Sequence, residues 1–378
     1  MFFFITILIV AIACSTITIK TLVGYSDMKL IYKILISAII IIGWFAVLIM
    51  NFIRKNDLLP TNIYSPISHI MYGLTGFVFI LFVAIILRDV VWYALYGIAK
   101  LLGKDGWYID PQNISVLGKA NITVVMLSIL ISAYSLYQGN KLPEVKEINV
   151  SSPKIGGYVK VAQISDLHIT RATSTTKLQN LVHKINMLNP DVIVLTGDTI
   201  DDKTTAIEEQ LDVLSNLSAP HGVYSVMGNH EFYNDVYAAK KILDKSKLQF
   251  LFNGGVHIKN SNVFIAGIPD TGTMAERINF WRTLNKSEAS DYKVLLSHSP
   301  SIIDSLSKGL VDLVLSGHTH GGQIFPFHWF AKKANHYLAG RYHENGTDLY
   351  VSRGAGTWGP AMRLFAPSEI TIINLLQK

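Results

Sequence analysis

The chain has 378 residues, half of them hydrophobic and only 16% charged, with a formal net charge of +6. That balance excludes intrinsic disorder. The apolar residues are gathered in positions 1–138, which also excludes one ordinary soluble globule. The cations are dispersed rather than drawn into an arm or stripe, so no nucleic-acid partner is expected. The single cysteine, Cys14, rules out an intramolecular disulfide and a thiolate metal site in the C-terminal part.

A helix needs roughly 20 apolar residues to cross bilayer hydrocarbon, and four runs approach that length: 1–19, 34–53, 66–87 and 120–138. A multi-pass anchor of about four transmembrane helices is therefore expected over 1–138. A further run, 90–102, follows Arg88-Asp89 and reads as an interfacial segment or a fifth span. The first run could instead be a signal peptide, but no Lys or Arg precedes it to form a basic start. No charged residue sits in the middle of the four runs, so they read as an anchor rather than an ion path. With four spans, Lys20, Lys29, Lys33, Arg88, Lys100, Lys104 and Lys119 fall on one side, and Arg54, Lys55, Lys141, Lys146 and Lys154 on the other. The heavier basic set belongs inside, which places the C-terminal domain outside the cytoplasm.

After a polar linker, 139–153, the pattern changes to brief apolar runs bounded by turn residues, with amphipathic stretches such as 175–188 between them. This is α/β organisation over 154–378. Strands are expected at 159–164, 191–196, 222–227, 263–268, 293–297, 313–316, 348–352 and 369–374. Nearly all are continuously apolar, as for strands buried on both faces.

Five of these strands run into polar residues. They are Asp166 and His168 after the first, Asp198 after the second, Asn229, His230 and Glu231 after the third, His298 after 293–297, and His318 and His320 after 313–316. In open α/β sheets ligands bind beyond the carboxyl ends of the strands, so these side chains should converge. Asp, His and Asn without Cys suit Mn, Fe or Zn. Asp166, Asp198, Asn229, His168, His298, His318 and His320, two carboxylates, one amide and four imidazoles, exceed what one ion takes from protein, and fit two divalent metal ions that share a carboxylate.

The ordered set D-x-H, G-D, G-N-H-E, H and G-H-x-H resembles the calcineurin-like metallophosphoesterase superfamily, and the tail, Gly340-Arg341-Tyr342 and then Val351 to Gly356 through Arg363 and Pro367-Ser368-Glu369-Ile370, is similar to its bacterial membrane-associated branch. The resemblance implies a four-layer αββα sandwich and hydrolysis of phosphoesters. It implies that Asp166, His168, Asp198 and His320 hold one ion and that Asp198, Asn229, His298 and His318 hold the other. It further implies that His230 serves the leaving oxygen as an acid or charge stabiliser; Glu231 is expected to orient that ring and Asp201 to support its loop. Anchoring favours a lipid or envelope phosphodiester or pyrophosphate as substrate, with a cyclic-nucleotide or nucleic-acid phosphodiesterase, or a non-catalytic metal-stabilised receptor, as the alternatives.

Two further stretches bear on function. Gly354 to Gly359 satisfies G-x-G-x-x-G, but Pro360 and Pro367 oppose the helix that a dinucleotide site requires, so it reads as a decoy. The aromatic run 325–330 with Lys332 and Lys333 is expected either to pack or to meet an anionic bilayer surface.

Overall fold

The computed structural model describes residues 2–24, 26–103, 110–111, 113–233, 248–270 and 278–378. The chain divides into two units, one of 1–137 with the short segment 359–362, the other of 138–358 with 363–378.

The first unit is helical: α1 (Phe2–Ile19), α2 (Leu30–Lys55), α3 (Thr61–Leu101) and α4 (Ile114–Asn140). Of these, α2, α3 and α4 are long and apolar enough to cross a membrane. They expose apolar side chains such as Ile39, Val90 and Leu130 outward. Inside, Ile40, Leu81, Ile85 and Val124 share a core, and the Thr75 hydroxyl donates to the Gly43 carbonyl across α2 and α3 at 2.9 Å. The run 90–102 is not a separate element, because it continues the run 66–87 within α3. At 1.5 Å per residue, 41 residues extend about 60 Å, twice the hydrocarbon thickness, so Arg88-Asp89 need not interrupt a span. Arg88 pairs with Asp89 at 2.7 Å and donates to Asn121 Oδ1 at 2.5 Å, and Asn121 Nδ2 donates to the Thr21 carbonyl at 2.8 Å.

The second unit is an α/β sandwich. Its strands are β1 (Glu144–Ser152), β2 (Tyr158–Ile164), β3 (Val192–Thr196), β4 (Val223–Val226), β5 (Leu248–Phe250), β6 (Gly254–His257), β7 (Val263–Gly267), β8 (Tyr292–Leu296), β9 (Leu313–Ser316), β10 (Gly340–Glu344), β11 (Thr347–Val351) and β12 (Glu369–Gln377). They form two six-stranded mixed sheets of order β1-β12-β2-β3-β4-β5 and β10-β11-β9-β8-β7-β6.

Strand alternation builds the layers. Val161, Val192 and Val194 from the first sheet meet Ile265, Val294 and Leu315 from the second in one buried cluster between the sheets. Their neighbours Ala162, Ile193 and Leu195 face the opposite way, onto α5 (Thr175–Met187) and α6 (Glu208–Leu214). On the far side, Phe264, Leu295 and Val314 pack under Ile303, Leu306 and Tyr337. Both faces of the central strands are thus dry, which is why they read as unbroken apolar runs. The result is the expected αββα sandwich.

The expected linker 139–153 differs: most of it is β1, paired in parallel with β12 from Glu144↔Glu369 to Ser152↔Gln377. As an edge strand with one fully buried residue, Val150, it carries no apolar run to announce it.

Candidate metal centre

The candidate ligands lie just beyond the strand ends, where the sheet's hydrogen bonding persists for a few residues. His168 N–H donates to the Asp198 carbonyl and Ile169 N–H to that of Thr199, both at 2.9 Å, so the loops after β2 and β3 run side by side. Asp166, His168, Asp198, His318 and His320 all have φ between +47° and +72°. Left-handed backbone costs an L-residue roughly 1–2 kcal/mol, and such strain persists only where the surroundings enforce it. Here the close approach of loops enforces it: a side chain at Gly317 would collide with Ser165 and the Asp166 carboxylate, and one at Gly228 with the Asp198 carboxylate.

The structure brings six of the seven expected ligands together in three overlapping groups, Asp166–His168–His320, His168–Asp198–His230 and Asp198–His298–His318. In one, Asp166, His168 and His320 converge; Nε2 of His168 lies 2.9 Å from Nε2 of His320, and Nε2 of His320 lies 3.5 Å from Asp166 Oδ1. His168 Nε2 also lies 3.7 Å from Asp198 Oδ2, in the group that includes His230. In the third are Asp198, His298 and His318, with His298 Nε2 at 3.0 Å from Asp198 Oδ2 and 3.1 Å from His318 Nδ1. Asn229 stands at the start of α7 (Asn229–Tyr233). Its buried Oδ1 accepts no hydrogen bond among the described residues. A cluster of oxygen and nitrogen donors around such an orphaned acceptor fits divalent cations.

The backbone orients these donors. His298 Nδ1 lies 2.9 Å from the Thr196 carbonyl, which fixes its proton there and frees Nε2 for the crevice. His318 N–H donates to the Asp166 carboxylate at 3.0 Å. Burial, with His168 and Arg363 beside it, holds His320 well below its usual protonation range; burial and His298 lower His318 as well. Both are therefore neutral, the form that binds cations. Burial would raise the Asp198 carboxyl, but His298, His168 and His230 draw it well below the usual carboxylate range.

His230 stands beside this crevice. Its N–H donates to Asp198 Oδ1 at 2.9 Å, and its Nδ1 meets Asp201 Oδ1 at 2.9 Å. The expectation that Glu231 orients the His230 ring is therefore corrected in favour of Asp201. Successive helical side chains diverge by about 100°, so Glu231 points the other way, fully into the protein. There it accepts backbone N–H groups of Asp198 (3.1 Å), Gly228 (2.8 Å) and Ile200 (2.8 Å), tying the loops after β3 and β4 together. Burial and the Asp198 charge push its carboxyl up to about 7 against the pull of those donors. Asp201, read from the sequence as loop support, was signalled by its spacing of three from Asp198.

Two buried arginines support the loops in roles that the sequence did not reveal. Arg171, next to the His168 loop, forms a buried bidentate pair with Asp202, both contacts at 2.9 Å. Arg363, fully buried, donates to the carbonyls of Gly356 (2.6 Å), Arg353 and Ala366 (2.8 Å each), and His320 (3.3 Å). The decoy G-x-G-x-x-G stretch is the loop that this guanidinium gathers. The loop brings Trp358 within 5.9 Å of the His230 ring, and Gln323 clasps the backbone of Trp358 through two 3.0 Å bonds.

This assembly defines a candidate divalent-metal centre at the carboxyl ends of two facing sheets. The family model of calcineurin-like phosphoesterases matches residues 159–322. An uncharacterized metallophosphoesterase of Campylobacter jejuni is 31% identical over 100% of this chain and 98% of its own length. One from Helicobacter pylori is 37% identical over 64% of this chain and 66% of its own. A zebrafish protein described as a transmembrane protein with metallophosphoesterase domain is 28% identical over 68% of this chain and 63% of its own. Among solved structures, a dimetal phosphatase from Danio rerio is similar at 12% identity and a TM-score of 0.34, covering 57% of this chain and 91% of that one. The chain belongs to the calcineurin-like metallophosphoesterase family, and is a metal-dependent phosphoester hydrolase.

Proposed function

We propose that the protein is a membrane-anchored dinuclear phosphoesterase acting on a lipid or envelope phosphodiester or pyrophosphate. The observation that carries the two-ion reading is the chain of three His/Asp groups linked through His168 and Asp198, the middle one including His230. Asp166, His168, Asp198 and His320 would hold one ion, Mn, Fe or Zn, and Asp198, Asn229, His298 and His318 the other. When bound, such ions offset phosphoryl charge and lower the pKa of water between them.

The chain's own residues supply the remainder. Asp201 fixes Nδ1 of His230. Nε2 of that ring, 4.0 Å from Asp198 Oδ2, would give the proton to the leaving oxygen. Glu231 holds the Asp198 loop against the β4 loop, so the shared ligand cannot drift. Among the described residues, three helices of spanning length support an anchor, and so does the description of the zebrafish relative as a transmembrane protein. The Lys and Arg distribution supports an extracytoplasmic catalytic unit; a C-terminal reporter active only in the cytoplasm would overturn that orientation.

The test is hydrolysis of mono- and bis-p-nitrophenyl phosphate by detergent-purified full chain, with metal content quantified. Asp198→Asn should lose both metal and turnover, whereas His230→Ala should keep metal and lose roughly 10²–10⁴-fold in rate, the span of acid–base catalysis. Full occupancy with near-normal turnover in Asp198→Asn would sink the assignment.

A further inference from the structure

The aromatic run beside the metal loop is neither core nor disordered surface. In α8 (Phe327–Asn335), Phe327, Trp329 and Phe330 are 52%, 65% and 65% exposed, while Ala331 is buried and His328 rests on the backbone of Gly322. Phe365, 76% exposed, joins them through Phe325, whose ring lies 5.8 Å from Phe365 and 5.4 Å from Trp329. Phe365 holds a φ of +61°, a costly conformation for a bulky residue. A soluble surface has no reason to hold so many large rings in water side by side. Lys332 and Lys333 follow on the last turn of the same helix, both exposed.

The crest is built onto the catalytic crevice. Leu364 N–H donates to the Gln323 carbonyl at 2.9 Å and Phe325 N–H to that of Leu364 at 3.3 Å, pairing the strip after His320 with the strip before Phe365. Arg363 in that second strip grips the His320 carbonyl, and Gln323 in the first clasps Trp358 beside His230. Exposed rings, ligand turn and crevice wall therefore share one scaffold.

We propose that Phe327, Trp329, Phe330 and Phe365 form a crest that seats in the headgroup layer of an anionic bilayer, with Lys332 and Lys333 on the lipid phosphates. Aromatic rings favour the interface between hydrocarbon and water, and an amphipathic helix with lysines beside its apolar face is the arrangement that anionic surfaces attract. The proposal rests on the reading that the chain is membrane-anchored. Tethering makes the bilayer an intramolecular partner, so four rings and two charges suffice where a free domain would need more. Seated this way, the crest brings the crevice to phosphoesters carried in the membrane.

The experiment uses the full chain in phosphatidylcholine vesicles containing phosphatidylglycerol. With Cys14→Ser as background, Trp329→Cys and, separately, Phe330→Cys carry an environment-sensitive fluorophore. Trp281→Cys, at a site 80% exposed elsewhere on the same unit, is the control. Labels on the crest should emit at shorter wavelength than the control and be quenched at least twofold more by brominated lipid. Emission and quenching equal to the control at both crest sites would overturn the proposal. Short-wavelength emission without lipid quenching would also overturn it, since protein would then cover the crest. Failure of p-nitrophenyl ester hydrolysis would instead count against the phosphoesterase reading, because the fluorophore reports depth regardless of turnover.

Discussion

His230 and Asp201 show how one hydrogen bond sets the working range of the imidazole proposed as the acid. Burial alone would lower the protonation range of His230; the Asp201 bond and charge, with Asp198 and Glu231 behind them, raise it instead. The protonated ring is the form that can protonate a leaving oxygen, so the rate should fall as pH rises through that raised value. Asp201→Asn keeps an acceptor for Nδ1 but removes the charge. Its alkaline limb should move to lower pH and kcat should drop roughly 10-fold or more, the range for partners of ligands and catalytic rings. A kcat–pH profile at saturating metal checks this, and an unmoved limb would show that Asp198 and Glu231 alone set the ring. Adjacency in sequence favoured Glu231 for this role, and only the helical divergence of neighbours 230 and 231 reveals that Asp201 fills it.

At the scale of elements, what could be read in the sequence was whatever the chain expresses locally. The apolar runs of β2, β3, β4, β8 and β9, each followed at once by Asp, Asn or His, gave both sheet and site, because a strand buried on both faces and a ligand at its end are neighbours in the chain. The edge strands escaped for the opposite reason. β1 and β10 carry polar, half-exposed residues, and β1 is defined by pairing with β12 at the far end of the chain. Arg88-Asp89 looked like a break because a charge pair reads as an interruption, whereas within α3 the two neutralise each other. Arg363 stands in the tail that carries the family resemblance, but its role left no trace because its partners are carbonyls, which every residue has. Its guanidinium, pushed down to about 10 by burial and so still charged at neutral pH, reaches five carbonyls, those of Arg353, Gly354, Gly356, Ala366 and His320. Lysine has a single ammonium and cannot span that set. Arg363→Lys should therefore leave buried carbonyls unpaired at roughly 1–3 kcal/mol each, a loss of about 3–5 kcal/mol in all. Chemical denaturation should show it directly; a loss under about 1 kcal/mol would mean that water replaces the guanidinium.

For the whole catalytic unit, the same crowding that builds the site makes folding depend on what the site holds. Five candidate ligands sit in left-handed backbone, and pairs of imidazole nitrogens face each other at 2.9 and 3.1 Å. The fold carries this strain because loops from both sheets are locked by Glu231, Arg171–Asp202 and Arg363. A divalent ion that binds only the folded state adds RT ln(1 + [L]/Kd), about 4 kcal/mol at a thousand times Kd. Chelation should accordingly lower the thermal midpoint of the α/β unit by several degrees, and Mn or Zn should restore it. Mg should restore it poorly, because imidazole donors suit it badly. Asp198→Asn should lie near the chelated midpoint and respond little to added metal, since it removes the carboxylate that the proposed two-ion reading shares between the ions. Near-UV circular dichroism with and without chelator reads this out. An unchanged midpoint in the wild type, with metal removal verified, would mean that the protein locks alone hold the crevice and that the ions contribute chemistry without stability.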